Sequence, residues 1–143
     1  MPLQQWAPIL NQGGTFVSLA YQNAGLEVAR WNVDNRAQVQ VPVIDNNGDF
    51  DEWVALISQL DHVVSVLTTV VHVCGALGKK VQVLCPRICQ WQHAYGGDGM
   101  IWYPVGSVQN YRQVDANEGW GQVIAAVASD YGSFVVPRFA EAA

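Results

Sequence analysis

Charge is scarce in this sequence. Aspartate, glutamate, lysine and arginine make up 13% of the 143 residues, and only seven of them are basic against twelve acidic, for a formal net charge of −5. Seven cations cannot cover a face densely enough to hold nucleic-acid phosphates or an anionic bilayer, so nucleic acid is not an expected partner. Long apolar runs are lacking too. The longest candidate, Val63 to Leu77, is broken by Ser65, Thr68, Thr69 and His72 and falls short of the roughly 20 residues that cross a bilayer, so no membrane insertion is expected. Met1-Pro2-Leu3-Gln4-Gln5-Trp6 has no basic segment leading into an apolar one, which argues against a secretory leader and for a cytoplasmic location. Three cysteines, Cys74, Cys85 and Cys89, are too few and odd in number for a disulfide framework. Cys85 and Cys89 also lack further ligands beside them for zinc, so no metal and no cofactor are expected. Recognisable catalytic motifs are missing as well: no Gly-rich dinucleotide loop, no Walker sequence, no G-x-S-x-G elbow. Gly96-Gly97-Asp98-Gly99 does not join a strand to a helix, and no catalytic residue is assigned.

What the sequence does have is hydrophobic residues, 50% of the chain, in a length suited to one domain over residues 1–143. A chain of this size buries roughly 70% of its unfolded surface and needs no staple. Thr15 to Tyr21, Val41 to Asp45, His62 to Leu67 and Lys80 to Cys85 predict strands. Their continuous apolar character suits parallel strands covered on both faces. Leu3 to Leu10, Asp49 to Leu60, Thr68 to Leu77 and Trp120 to Tyr131 carry helical spacing. Gly78 ends the third of these, and Asp49 and Asp51 read as first-turn carboxylates that favour the helix dipole rather than as an acid and base. The alternation predicts an α/β fold: an open, mainly parallel Rossmann-like sheet with helices on both faces. From Pro86 to Asn117 the chain reads as a long irregular stretch crowded with aromatics, and about 135–143 as a flexible tail.

Ligands of such sheets sit beyond the carboxyl ends of the strands. The Ser65-Val66-Leu67-Thr68-Thr69 junction runs a strand straight into a helix, whose free N–H groups and two hydroxyls suit a phosphate or diphosphate. Thr68 or Thr69 serving as a plain N-cap is the alternative. His72, one turn on, is either a donor to the same ligand or a core-edge histidine satisfied within the protein. Trp91, His93 and Trp102 are candidates for the loop lining a cleft there.

These residues bring a family into view. Leu60 to Leu84, LDHVVSVLTTVVHVCGALGKKVQVL, resembles the signature LDLVISVDTSVAHLAGALGKPVWVLLP of the C-terminal domain of the heptosyltransferase family, glycosyltransferase family nine, and of its relatives linked to tetratricopeptide repeats. Phe16-Val17-Ser18-Leu19 resembles that family's FVSLQ, Trp91 its DWRW, and Trp102-Tyr103-Pro104 its WYP. Tyr111-Arg112-Gln113 resembles its FRQ, and Trp120 with Val123-Ile124 its final helix. The resemblance implies one half of a two-domain GT-B fold, the half that holds a nucleotide-sugar donor, with Thr68, Thr69 and His72 at the diphosphate and sugar corner.

Three departures accompany it. Leu67 stands where the family has the aspartate of VDT, and Ala20 where it has the glutamine of SLQ. Met1-Pro2-Leu3 aligns just after the family's first strand, with the acceptor domain missing. In a strand order of 3-2-1-4-5-6 that first strand is central, so its loss either joins the strands at Thr15 to Tyr21 and His62 to Leu67 or leaves each with an open edge. The expectation is a glycosyltransferase-like domain, not catalytic alone, that acts as an interaction or oligomeric module. The alternative is a nucleotide or nucleotide-sugar binding domain of a heptosyltransferase-like enzyme whose acceptor domain comes from a partner chain.

Overall fold

The computed structural model describes the chain except residues 21–23, 37, 45–49, 94–96, 98 and 141–143, with 134–140 as backbone only. The protein is mixed α/β. Among the described residues, five α-helices accompany two all-parallel sheets of two and three strands, in keeping with an open Rossmann-like fold. The chain divides into two compact units, Met1–Val43 with Trp120–Ala143, and Ile44–Gly119. No helix of the described residues is long and apolar enough to cross a membrane.

The first unit contains a 3-10 turn (Leu3–Trp6), α1 (Ala7–Leu10), β1 (Phe16–Val17), α2 (Gly25–Asp34), β2 (Val39–Gln40) and, from the far end of the chain, α5 (Gly121–Ala140). Pro8 falls in the first turn of α1, where its missing N–H costs nothing. β1 and β2 are parallel, with Phe16 opposite Val39 and Val17 opposite Gln40. Leu10, Val28, Trp31 and Val39 form the core, with Leu3, Trp6 and Phe16 packed on it. Burial of side chains the size of Leu10 and Val28 contributes about 1.5–3 kcal/mol each. α5 packs on α1 and buries Val123, Ile124, Val127 and Ala128, which recur at one-turn spacing.

The second unit is continuous in sequence: α3 (Phe50–Gln59), β3 (Val63–Val66), α4 (Thr69–Ala76), β4 (Val81–Cys85), a 3-10 turn (Trp91–His93) and β5 (Val108–Arg112). β4 lies in the middle, parallel to both neighbours, with Val63 opposite Val81 and Val81 opposite Val108. All five of its residues are buried, whereas β3 alternates, as a strand paired along one edge does. The one polar side chain of β4 is satisfied on both sides: the Gln82 carboxamide meets His62 Nε2 at 2.9 Å and donates to the Tyr111 hydroxyl at 2.8 Å. α4 ends at Gly78, whose φ of 65° suits glycine. The Lys79 N–H then reaches back to the Cys74 carbonyl at 2.8 Å. The Lys79 ammonium caps α3 by donating to the carbonyls of Ser58 and Leu60.

Several expected boundaries shift. The second strand is Val39–Gln40 rather than Val41 to Asp45, because the Asn32 carboxamide clamps both backbone groups of Val39, donating to its carbonyl at 2.9 Å and accepting from its N–H at 2.8 Å. Pro42 has no N–H to continue the ladder, and Val43 is fully solvent-exposed. The stretch from Pro86 to Asn117 is not irregular throughout, since it contains β5. α2 has no counterpart in the sequence reading, and the closing helix runs on to Ala140. The expectations at Tyr21, Asp45, Asp49, Gly96, Asp98 and Glu141 to Ala143 lie outside the described residues. β1 pairs with β2 and β3 with β4, so the described strands β1 and β3 are not joined to each other.

The Asn32 clamp sets a measurable cost. Asn32→Ala leaves the N–H and carbonyl of Val39, a residue 6% exposed, without their partners. The expected loss is about 1–3 kcal/mol, read as a lower urea midpoint with an unchanged slope.

Candidate functional site

The junction of β3 and α4 is built by a departure from ordinary capping. Thr68 occupies the N-cap position with extended backbone, φ −137° and ψ 175°, yet its side chain makes no capping bond. Its hydroxyl is instead hydrogen-bonded to that of Ser65 at 3.1 Å, and the Ser65 hydroxyl also contacts the Val66 carbonyl at 2.9 Å. Val71 N–H donates to the Thr68 carbonyl at 3.1 Å, while the N–H groups of Thr69 and Val70 find no acceptor among the described residues. The start of α4 therefore offers unengaged donors at the positive end of the helix dipole. Thr69 is exposed beside them.

One turn further on, His72 is held by an aromatic neighbour. Its Nδ1 and the Tyr103 hydroxyl lie 2.9 Å apart in a hydrogen bond, with the rings edge to face at 6.0 Å. Tyr103 reaches this position because residue 75 is glycine: a β-carbon there would stand 2.3 Å from the tyrosine ring. The bond leaves Nε2 of His72 with no partner among the described residues. His72 also contacts Trp102 at 6.3 Å between ring centroids, and Trp102 meets Trp91 edge to face at 5.3 Å. Trp91 and Trp102 are 67% and 49% exposed, a large aromatic surface facing water next to a histidine.

The structure thus brings together five of the six residues singled out in the sequence in two linked groups. Thr68 and Thr69 form the helix start, and His72, Trp102 and Trp91 form a continuous ring cluster starting from the next turn of the same helix. His93 stands apart. It is 2% exposed, its Nδ1 lies 3.3 Å from Asn110 Oδ1, and its carbonyl accepts from Asn110 and Arg112. Asn110 ties this buried network together by also donating to the Gly99 carbonyl at 3.0 Å. Sequence reasoning missed Ser65, which takes the Thr68 hydroxyl, and Tyr103, which takes His72. The signal for Tyr103 was the glycine in the last turn of α4, inside the helix rather than after it, where a missing side chain marks close approach.

Two of the three thiols are buried. Burial pushes the Cys85 thiol up to about 12 and the Cys74 thiol up to about 11, so both stay protonated and inert. Among the described residues no group of three or more histidine, cysteine, aspartate or glutamate side chains is placed to hold a metal ion. Comparison with known proteins yields no matching family model, no matching curated protein and no matching solved structure.

Burial also lowers both His62 and His93 below the ordinary value of 6.5. The unfolded chain then takes up protons at a higher pH than the folded one. Stability from these neutral histidines is complete above about pH 6.5 and declines as the pH falls through the lowered folded values. The urea midpoint is expected to drop between pH 7 and pH 5, and His62→Gln to flatten that slope. An unchanged slope in the variant refutes the assignment.

Proposed function

We propose that this chain is a heptosyltransferase-like module that binds a nucleoside diphosphate or nucleotide sugar at the start of α4 and does not transfer sugar by itself. The observation that carries the reading is the juxtaposition of unengaged N–H groups at Thr69 and Val70 with His72 and an exposed tryptophan pair. A diphosphate satisfies the donors and gains from the helix dipole. The threonine hydroxyls add further hydrogen bonds, and Trp102 and Trp91 supply a flat apolar face for a base or sugar ring. The resemblance of Leu60 to Leu84 to the donor-binding signature points to the same corner.

Transfer requires more than donor binding. Leu67, directly after β3, has no group to accept a sugar hydroxyl, where the resembled family has a carboxylate, and loss of such a bond costs about 1–3 kcal/mol. In this reading, calorimetric titration with ADP, GDP, UDP and CDP gives binding for at least one of them. His72→Ala and Thr68→Val each weaken it about tenfold, which corresponds to about 1.4 kcal/mol. No heat with any of the four, in a folded sample, overturns it.

A second reading is favoured by a separate observation. The outer edges of β1 and β3 carry no neighbouring strand among the described residues. Open edges present unpaired backbone groups that recruit strands, so a module that self-associates through them follows from the same fold. Light scattering after size exclusion is expected to show a dimer that grows with concentration; a strict monomer up to millimolar concentration refutes the oligomeric role.

A further inference from the structure

A cleft of about 600 Å³ opens within the Met1–Val43 unit, remote in sequence from α4. Its wall is formed by the segment that leads into β1 and by the segment between α2 and β2, with Leu10 as its main apolar element. That volume fits a small metabolite rather than a lone ion. Among the described residues the only charged one lining it is Arg36, and no carboxylate lines it.

The loop that leads into β1 is unusual. Gly13 and Gly14 both have positive φ, 96° and 117°, which successive side-chain-bearing residues would resist. Tyr131 holds them in place: its hydroxyl donates to the Gly13 carbonyl at 3.2 Å, and a β-carbon on Gly14 would stand 3.0 Å from that same oxygen. With the Gly13 carbonyl occupied, the N–H groups of Gly13, Gly14 and Thr15 have no acceptor among the described residues.

Two helices, α1 and α2, end near this cleft, and helix carboxyl ends repel anions. Here several carbonyls at these ends are already engaged. Gln12 takes those of Pro8 and Ile9, Asn35 takes that of Trp31, and Gln38 takes those of Asn32 and Asn35. Arg36 thus lines the cleft together with backbone amides that have no acceptor among the described residues, and with several of the nearby carbonyls already engaged. Asn11 and Gln40 bring in carboxamides with no bond to the described residues, and a carboxamide both donates to and accepts from a hydroxyl.

We propose that this cleft binds a small polyhydroxy ligand bearing an oxyanion, a sugar phosphate or a sugar acid. Arg36 pairs with the oxyanion as a planar fork, the Gly13 to Thr15 amides complete its shell, and the carboxamides of Asn11 and Gln40 read the hydroxyls. This proposal does not rest on the nucleotide reading at α4.

Calorimetric titration of the full chain with glucose 6-phosphate and with glucuronate separates the two sources of the oxyanion. Binding of one of them is expected, with uncharged glucose and inorganic phosphate each at least tenfold weaker. Arg36→Gln, an exposed position whose loss leaves the thermal midpoint unchanged, weakens binding at least tenfold, and Gln40→Ala weakens it several-fold. His72→Ala binds as the parent does, so failure of the nucleotide reading at α4 leaves this result intact. No binding of either acid, unchanged affinity in Arg36→Gln, or loss of binding in His72→Ala overturns the proposal. Inorganic phosphate binding as tightly as glucose 6-phosphate overturns the sugar half of it.

Discussion

The Ile44–Gly119 unit depends on the complete burial of β4. A strand covered on both faces must be apolar or must bring its own partners for anything polar, because an unmet carboxamide in that position costs several kcal/mol. Gln82 meets this demand by bonding to His62 on one side and Tyr111 on the other, which ties the three strands of the sheet together beyond their backbone ladder. The same constraint fixes the register. A one-residue slip would carry Gln82 away from both partners and turn the strand's pleat over.

Once that sheet is fixed, the candidate site follows from two small choices. Glycine at 75 leaves room on α4 for the Tyr103 ring, and the Tyr103 hydroxyl then orients His72. Ser65, on the strand, occupies the Thr68 hydroxyl and so leaves the first turn of α4 without its usual cap. A helix start normally spends its side-chain oxygen on its own backbone. Here that oxygen is spent on a neighbouring strand, and the backbone donors stay open.

The long buried elements were legible in the sequence, and the polar ones were not. β3 and β4 coincide with the apolar runs at His62 to Leu67 and Lys80 to Cys85 within a residue or two, because burial on both faces demands such runs. α4 and its glycine stop were equally clear. β5 went unread because its central residue is Asn110, a polar side chain buried only by virtue of bonds to His93 and Gly99 that no local pattern announces. α2 went unread because Leu26 and Val33 are exposed, which blurs the stripe made by Val28 and Trp31, and because it opens on Gly25 without a capping side chain. The resemblance directed attention to Thr68, Thr69 and His72. The placement of His93 inside a buried network rather than beside Trp91 rests on contacts with residues seventeen positions away, beyond any short-range reading.

The two units are also threaded differently. One is a single stretch of chain, Ile44–Gly119, and the other is made from the segments on either side of it. During synthesis the inner unit has all its residues once Gly119 has left the ribosome, while α1 still waits for α5, and Gly13 waits for a tyrosine 118 positions downstream. The other unit can close only once α5 has been made, across the 118 positions that separate Gly13 from Tyr131. The already ordered insert shortens that closure, since a folded segment spans its ends at a fixed distance where a flexible one would have to search for it.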